Sequence, residues 1–166
     1  MNLQIRPFQK NDLNDLVQLT LLAFEPVFTS FAQILGPKIY PIIYPDWRKR
    51  HAEGVEKLST NEKISLWVAE VDGKVIGFIA YTPEKISQLY VHIDHQDRRV
   101  GSHLLDIAKQ NSHGGLRLFT FERNKSAQRF YESRGFRIVA RGFEESMQLE
   151  DIEYEWCAEQ MGSSPD

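Results

Sequence analysis

The chain has 166 residues, of which 42% are hydrophobic, 11% aromatic and 26% charged. This composition is that of a globular domain and excludes intrinsic disorder. The formal net charge of −3 disfavours a non-specific nucleic-acid binder, because such proteins are normally basic.

The sequence also indicates the cellular compartment and the number of domains. Cys157 is the only cysteine, so no internal disulfide can form, which suits a reducing compartment. The longest apolar run, Val75–Tyr81, is far shorter than the roughly 20 residues of a membrane-spanning helix. The first residues lack the pattern of a secretion signal. We expect one cytoplasmic domain over residues 1–160, without a membrane anchor, and a loose tail at residues 161–166.

The first part of the chain reads as a strand followed by helices. Leu3 and Ile5 alternate with polar residues and predict a short strand. The next segment has apolar residues at helical spacing: Leu13, Leu16, Val17, Leu21 and Phe24. Residues 24–45 contain four prolines, so any helix there is expected to be short or broken. Asp46 can cap a further helix, which is expected to end at a turn over residues 59–61.

The second part alternates strands with helices. Ser65–Val71 and Lys74–Tyr81 are rich in β-forming residues, and Asp72-Gly73 joins them as a favoured hairpin loop. Further strands are predicted at Ile86–Ile93, Leu116–Phe121, Phe136–Arg141 and Leu149–Trp156. A helix between them is marked by Val100, Leu104, Leu105 and Ala108. Asn124 can cap another, which ends near Gly135. This order predicts a mixed α/β domain around one central sheet.

A strand, a polar loop and the start of a helix follow one another over residues 86–105. The loop reads Gln-Asp-Arg-Arg-Val-Gly at residues 96–101. Because the first N–H groups of a helix lack internal partners and carry partial positive charge, they suit a phosphate or pyrophosphate. Gly101 permits close approach of the backbone, and Arg98 and Arg99 add fixed positive charge. The plain alternative is a strand–turn–helix with two solvated arginines.

The second informative segment is the helix that begins after Asn124. Asn124 can cap this helix by accepting backbone N–H bonds. Tyr131 lies seven residues later in the sequence, about two helical turns, so both residues can share one face. A phenol there can donate a proton to a departing anion. The alternative is a core aromatic beside Phe130.

Together the two segments resemble the GNAT superfamily of N-acetyltransferases. Residues 96–101 fall on that superfamily's Gln/Arg-x-x-Gly-x-Gly/Ala motif. Its next conserved segment is matched by Asn124, Ala127, Phe130, Tyr131, Gly135 and Phe136. The resemblance covers residues 65–141 and extends to residues 1–24 by element order alone. It implies an α/β (α+β) fold with a central, mixed but mostly antiparallel sheet of six to seven strands and about four helices. A splay is implied between the strands at residues 86–93 and 116–121.

The resemblance also implies a site for acetyl-CoA. Backbone groups near Val91 and Ile93 would bond the pantetheine arm. The pyrophosphate would be wrapped by backbone N–H groups of Gln96, Asp97, Arg98, Arg99, Val100, Gly101 and Ser102. Asn124 would contact the pantetheine side of the cofactor and Ser126 would lie near the CoA. Tyr131, as general acid, would face the thioester sulfur, while the acceptor amine attacks the acetyl carbonyl directly in a ternary complex.

Two loop residues depart from the superfamily's pattern. Arg99 occupies the first glycine position of the motif, and Asp97 stands where many relatives carry glycine. We expect Arg99 to be tolerated if its backbone angles are ordinary, because the loop binds phosphate mainly through N–H groups. Asp97 would weaken the site if its side chain pointed inward.

The general base is left open by the sequence. A primary amine, with a pKa of about 10, must lose a proton before it attacks. The strand at residues 86–93 holds no carboxylate for this step. Glu84 or His92 is a candidate base, with Asp94 and Glu122 as further candidates. Deprotonation through a water chain is the rival mechanism.

Residues 24–47 are expected to build the acceptor pocket. Phe24, Phe28, Phe31 and Tyr44 would line it, although at least half of the aromatic residues in this region are expected to be core. No metal site is expected, because the clustered histidines lack a cysteine partner and a His-Glu-x-x-His pattern.

The leading hypothesis is an acetyl-CoA-dependent N-acetyltransferase that acts on a small-molecule or peptide amine. We expect a monomer or homodimer that uses no metal, nucleic acid or membrane. One alternative is a non-catalytic acyl-CoA-binding or sensor module of the same fold. Another is an enzyme acting on RNA or on a charged-tRNA amine, which the net charge of −3 disfavours.

Overall fold

Seven strands in two ladders and four α-helices make up the described chain. The computed structural model describes residues 2–145 and 147–158, so the tail expected at residues 161–166 lies outside the described part. The predicted fold class is confirmed. However, the strands form ladders of four and three strands rather than one central sheet.

The first ladder has the order β1-β2-β3-β4 and the second the order β5-β7-β6. The strands are β1 (Leu3–Pro7), β2 (Ser65–Val71), β3 (Lys74–Tyr81), β4 (Ile86–Val91), β5 (Gly115–Phe121), β6 (Arg137–Glu144) and β7 (Leu149–Cys157). The helices are α1 (Leu13–Ile43), α2 (Trp47–Thr60), α3 (Val100–Gln110) and α4 (Lys125–Glu132). β4 and β5 belong to different ladders, as the predicted splay between them requires.

The described residues divide into two compact units. The first comprises Met1–Ala80 and Gln88–Asp106, and the second comprises Tyr81–Ser87 and Ile107–Asp166. The single domain expected over residues 1–160 stays a prediction.

The core of the first unit joins its two long helices to its ladder. Leu16 of α1, Val55 of α2, Val68 of β2 and Phe78 of β3 belong to one cluster and are at most 1% exposed. Burying each of these side chains contributes about 1.5–3 kcal/mol to folding. The apolar residues at helical spacing in the sequence are therefore those that hold α1 in place.

The second unit is built on β7. Its residues Ile152, Tyr154 and Trp156 are buried, and Tyr154 and Trp156 pair with Leu118 and Leu116 of β5. The intervening β7 residues are more exposed, as expected of a strand with one covered face.

The hairpin between β2 and β3 follows the sequence prediction. Its strands end at Val71 and Lys74, as expected. Asp72 and Gly73 both have positive φ, at 50° and 81°, which is the turn that matches the twist of the two strands.

Helix α1 departs from the sequence prediction. It runs through Pro26 and is interrupted only at Gly36, which has φ 78° and ψ 172°. The expectation of a short or broken helix was thus wrong at Pro26. Tertiary packing of the flanking turns, with Thr20 and Phe28 both buried, outweighs the missing hydrogen bond.

Among the described residues, one helical stretch, Lys10–Ile43, is long and apolar enough to cross a membrane by length and composition alone. Five residues of α1 are buried and Gly36 interrupts its helical backbone, whereas Leu22, Ile34, Ile39 and Ile42 are exposed.

Candidate functional site

The predicted phosphate loop lies between β4 and α3. β4 ends at Val91, two residues earlier than expected, and a 3₁₀ turn over Ile93–His95 follows. Asp97, Arg98 and Arg99 are exposed, whereas Val100 is only 1% exposed and anchors the start of α3. The structure therefore presents two arginines and a helix start side by side, an arrangement that suits an anion.

Two residues of this loop have left-handed backbone conformations. Asp97 has φ 63° and Arg99 has φ 64°. The condition stated for tolerating Arg99, ordinary backbone angles, is therefore not met. A left-handed conformation costs about 1–2 kcal/mol for a residue such as arginine.

The end of β4 is fixed by hydrogen bonds. The Gln96 side chain donates Nε2–H to the Val91 carbonyl at 3.0 Å, and the His92 N–H donates to the Ile76 carbonyl at 2.7 Å. Ile93 is 78% exposed. The backbone that the resemblance assigns to the pantetheine arm is thus held against β3.

Helix α4 begins as predicted. Asn124 Oδ1 accepts the Ala127 N–H at 3.0 Å, which confirms the cap. Ser126 is exposed in the first turn. Gly135 has φ 89°, and the Phe136 N–H donates to the Tyr131 carbonyl at 3.1 Å, so the predicted left-handed helix end is also present.

Tyr131 is buried on the inward side of α4. Its ring is 8% exposed and lies 5.1 Å from Phe130, 5.4 Å from Phe136 and 6.4 Å from Tyr154. Burial raises the pKa of Tyr131 above its usual value of 10. The phenol is therefore protonated at neutral pH, as a proton donor must be.

Both base candidates, Glu84 and His92, have side-chain hydrogen-bond partners. Glu84 is exposed in the turn before β4, and its Oε1 lies 3.0 Å from His113 Nδ1. His92 Nδ1 accepts the Asp94 N–H at 3.2 Å. The same nitrogen lies 3.7 Å from Asp94 Oδ2. The base role of either residue stays a prediction.

Three of the four predicted pocket residues are buried. Phe28, Phe31 and Tyr44 are 0–5% exposed and pack against one another between α1 and α2. Phe24 is half-buried and lies 5.7 Å from Tyr90 of β4. The acceptor pocket at these residues stays a prediction, and Phe24 is the member nearest to the surface.

His51 is a feature that the sequence analysis missed. The sequence places it on the apolar stripe of α2, four residues after Trp47. In the structure its ring lies 4.3 Å from Phe24, and its Nε2 is buried with no hydrogen-bond partner. Its neighbours in sequence do not predict these surroundings, because α1 supplies Phe24 and Phe28.

Within the part of the chain that the structure describes, possible metal ligands do not come together as a binding group. Among residues 2–145 and 147–158, no group of three or more His, Cys, Asp or Glu side chains could hold a metal.

Comparison with known proteins supports the resemblance. Residues 62–138 match a family model described as an acetyltransferase (GNAT) domain. The chain is 30% identical over 135 residues to the probable N-acetyltransferase Rv2775 of Mycobacterium tuberculosis, covering 64% of this chain and 77% of that protein. It is 31% identical over 84 residues to the peptidyl-lysine N-acetyltransferase YiaC of Escherichia coli, covering 50% of this chain and 57% of YiaC.

Solved structures share the fold. The PaiA N-acetyltransferase of Thermoplasma acidophilum, solved with coenzyme A, has a TM-score of 0.66 at 19% identity, covering 95% of this chain and 99% of PaiA. The apo form of YjaB from Escherichia coli has a TM-score of 0.70 at 18% identity, covering 94% and 98% of the two chains.

Proposed function

Since this chain belongs to the GNAT superfamily of acetyltransferases, we propose that it transfers the acetyl group of acetyl-CoA to a primary amine. The observation that carries this proposal is the loop at residues 96–101, whose left-handed Asp97 and Arg99 shape a backbone turn directly before a helix start. A turn of this kind presents N–H groups to a phosphate.

The loop residues fit the pyrophosphate of CoA. Gln96, Asp97, Arg98, Arg99, Val100, Gly101 and Ser102 would hold it. The exposed Arg98 and Arg99 offset the charge of Asp97, which is itself exposed to solvent. Backbone groups of Val91 and Ile93, together with Asn124 and Ser126, would contact the rest of the CoA molecule.

Tyr131 is the proposed general acid. Acetyl-CoA supplies an activated acetyl thioester, and the departing sulfur needs a proton. The Tyr131 hydroxyl, whose pKa burial raises above its usual 10, carries a proton at neutral pH that it can donate to the sulfur. Direct attack by the acceptor amine in a ternary complex requires no acyl-enzyme, so the chain's own residues only bind, orient and move protons.

A primary amine of a lysine side chain is the first acceptor to test, because YiaC is named a peptidyl-lysine N-acetyltransferase. A small-molecule amine is the second. The chain spans only 57% of YiaC, so this similarity does not decide between the two acceptors. The experiment below compares them.

The experiment begins with thermal unfolding in the presence of acetyl-CoA, CoA, ATP or NAD. At about a hundred times its dissociation constant, a ligand adds about 2.7 kcal/mol, which raises the melting temperature of a domain this size by about 5–10 °C. We expect this rise with acetyl-CoA and CoA but not with NAD. Thiol release with a blocked lysine peptide and with small amines then measures transfer.

A non-catalytic acyl-CoA sensor is the second candidate, favoured by the non-glycine residues at positions 97 and 99. It predicts the same rise in melting temperature without thiol release for any amine. Absence of the rise would contradict both candidates.

A further inference from the structure

Three buried side-chain atoms in the described part of the first unit lack hydrogen-bond partners: Nε2 of His51, on α2, Oε1 of Gln88, on β4, and Nδ1 of His95, in the 3₁₀ turn after β4. The first two lie on elements that are linked through Phe24. Buried polar atoms are almost always paired, so an unpaired one calls for an explanation such as an absent ligand. Phe24 of α1 contacts the rings of both His51 and Tyr90 and so links α2 to β4.

The aromatic residues around His51 shape a half-buried site. The ring of Phe24 lies edge-on to His51 at 4.3 Å, with Phe28 at 5.7 Å and Trp47 at 5.8 Å on the inward side. Tyr90 lies 5.7 Å from Phe24. Gln88 is two residues before Tyr90 on β4 and therefore projects from the same face of the strand. Since Phe24 is only half-buried, movement of its ring would open His51 to a ligand.

Aromatic faces and an unpaired acceptor suit a primary ammonium group. The rings attract a cation, and the Gln88 carbonyl and a neutral imidazole nitrogen both accept N–H bonds. We propose that His51 and Gln88 hold the acceptor amine and that His51 Nε2 takes the proton that this amine must lose. This inference rests on the proposed function and supplies the base that β4 lacks.

The chemical step balances without another reactant. The ammonium gives one proton to His51 Nε2, and the freed nitrogen lone pair forms a bond to the acetyl carbon. The carbon–sulfur bond breaks and the sulfur keeps its electron pair and receives a proton. The nitrogen loses its second proton as the amide forms, which replaces the proton given to sulfur. His51 then releases its proton to solvent.

The charge state of His51 fits this role. Burial first, and then the positive charge of Arg50, lower the pKa of His51 below its usual 6.5, so the ring is neutral at pH 7. Among the charged groups nearby, Arg48 of α2 lies 4.6 Å over the Trp47 ring and pairs with Glu25 of α1 at 3.2 Å. On β4, Tyr90 contacts Phe24.

The test compares His51→Gln with the matched control His103→Gln, whose histidine is exposed on α3. The probes are a blocked lysine peptide, spermidine and 2-phenylethylamine, assayed by thiol release from pH 6 to 10. We expect kcat of His51→Gln to fall about 10²-fold at pH 7. The deficit should shrink towards pH 10, where the amine is already deprotonated, while the acetyl-CoA dissociation constant stays unchanged. Gln88→Met should raise KM for the amine about tenfold.

An equal deficit of His51→Gln at every pH, or none, would overturn the base role. A second readout needs no turnover: the imidazole NMR signals of His51, assigned by their loss in His51→Gln, should shift when an amine probe binds. No shift with any of the three probes would overturn the site. Failure of acetyl-CoA to bind the wild-type protein would instead contradict the proposed function.

Discussion

Tyr131 is the single residue on which the proposed chemistry most depends. Removing its hydroxyl leaves the ring in its packing with Phe130 and Phe136, so the fold should be retained. We expect Tyr131→Phe to lower kcat by about 10²–10⁴, the usual contribution of a general acid. Steady-state kinetics with an accepted amine measures this.

The control for this substitution is the acetyl-CoA dissociation constant, which should change little. Unchanged turnover in Tyr131→Phe would remove the hydroxyl from the mechanism. A large loss of melting temperature would instead indicate a structural role.

The loop residues show how far sequence reasoning reaches at this scale. The motif could be placed from the order of residues 96–101 alone. The left-handed conformation of Arg99 could not be predicted, because arginine rarely adopts it and only the surrounding chain enforces it. His51 was missed for a related reason, since its surroundings arise from helix pairing rather than from its neighbours in sequence.

At the scale of elements, the close approach of β3, β4 and α3 depends on Gly77. A Cβ atom at Gly77 would lie 2.9 Å from the Tyr90 carbonyl oxygen and 3.4 Å from side-chain atoms of Leu104 and Val91. Because a backbone carbonyl cannot move aside easily, we expect Gly77→Ala to destabilise the protein by about 1–3 kcal/mol. Shifting β4 should also weaken acetyl-CoA binding, since the phosphate loop follows that strand.

Gly54 provides the matched control. It lies inside α2, and a Cβ atom there would meet nothing within 4 Å. Gly54→Ala should therefore stabilise the protein by about 0.5–1 kcal/mol through helix propensity. Denaturant unfolding of both variants gives the comparison, and equal stabilities would show that β4 is not held closely against β3.

Local signals predicted some elements well and others poorly. Asp72-Gly73 marks the hairpin because the turn is specified by its own two residues. The extent of α1 was not predictable, since its passage through Pro26 depends on packing against α2 and the first ladder. Division of the strands into two ladders likewise depends on long-range pairing that the sequence pattern does not contain.

At the scale of the whole molecule, acid stability depends on a half-buried charge cluster, in which Arg6 pairs with both Asp12 and Glu70 at 2.8 Å. Arg6 donates to both oxygens of Asp12 at 2.8 and 2.9 Å, and the Gln9 N–H donates to Asp12 at 2.7 Å. The hydrogen bonds from Arg6, and to a lesser extent the one from Gln9, lower the pKa of Asp12 below its usual 3.8.

Because the folded state lowers this pKa, the carboxylate stabilises the protein above pH about 4, and that contribution is lost as the pH falls through the folded pKa. We expect Asp12→Asn to reduce the free energy of unfolding by about 1–3 kcal/mol at pH 7, because Arg6 keeps Glu70 as a partner. The difference from wild type should narrow below pH 3. Urea unfolding across this pH range measures it, and a constant difference would contradict the lowered pKa.

The side chains at positions 97 and 99 affect the conformational freedom of the loop in the absence of a ligand. A glycine in the left-handed region visits many other conformations as readily, whereas an aspartate or an arginine held there by its neighbours has few alternatives. The unliganded loop is thereby confined to fewer shapes than its glycine-bearing counterpart. Binding a phosphate then costs less conformational entropy than it would for a more flexible loop. The backbone strain is already present in the unliganded protein, and part of the entropy cost of ordering the loop is therefore avoided on binding.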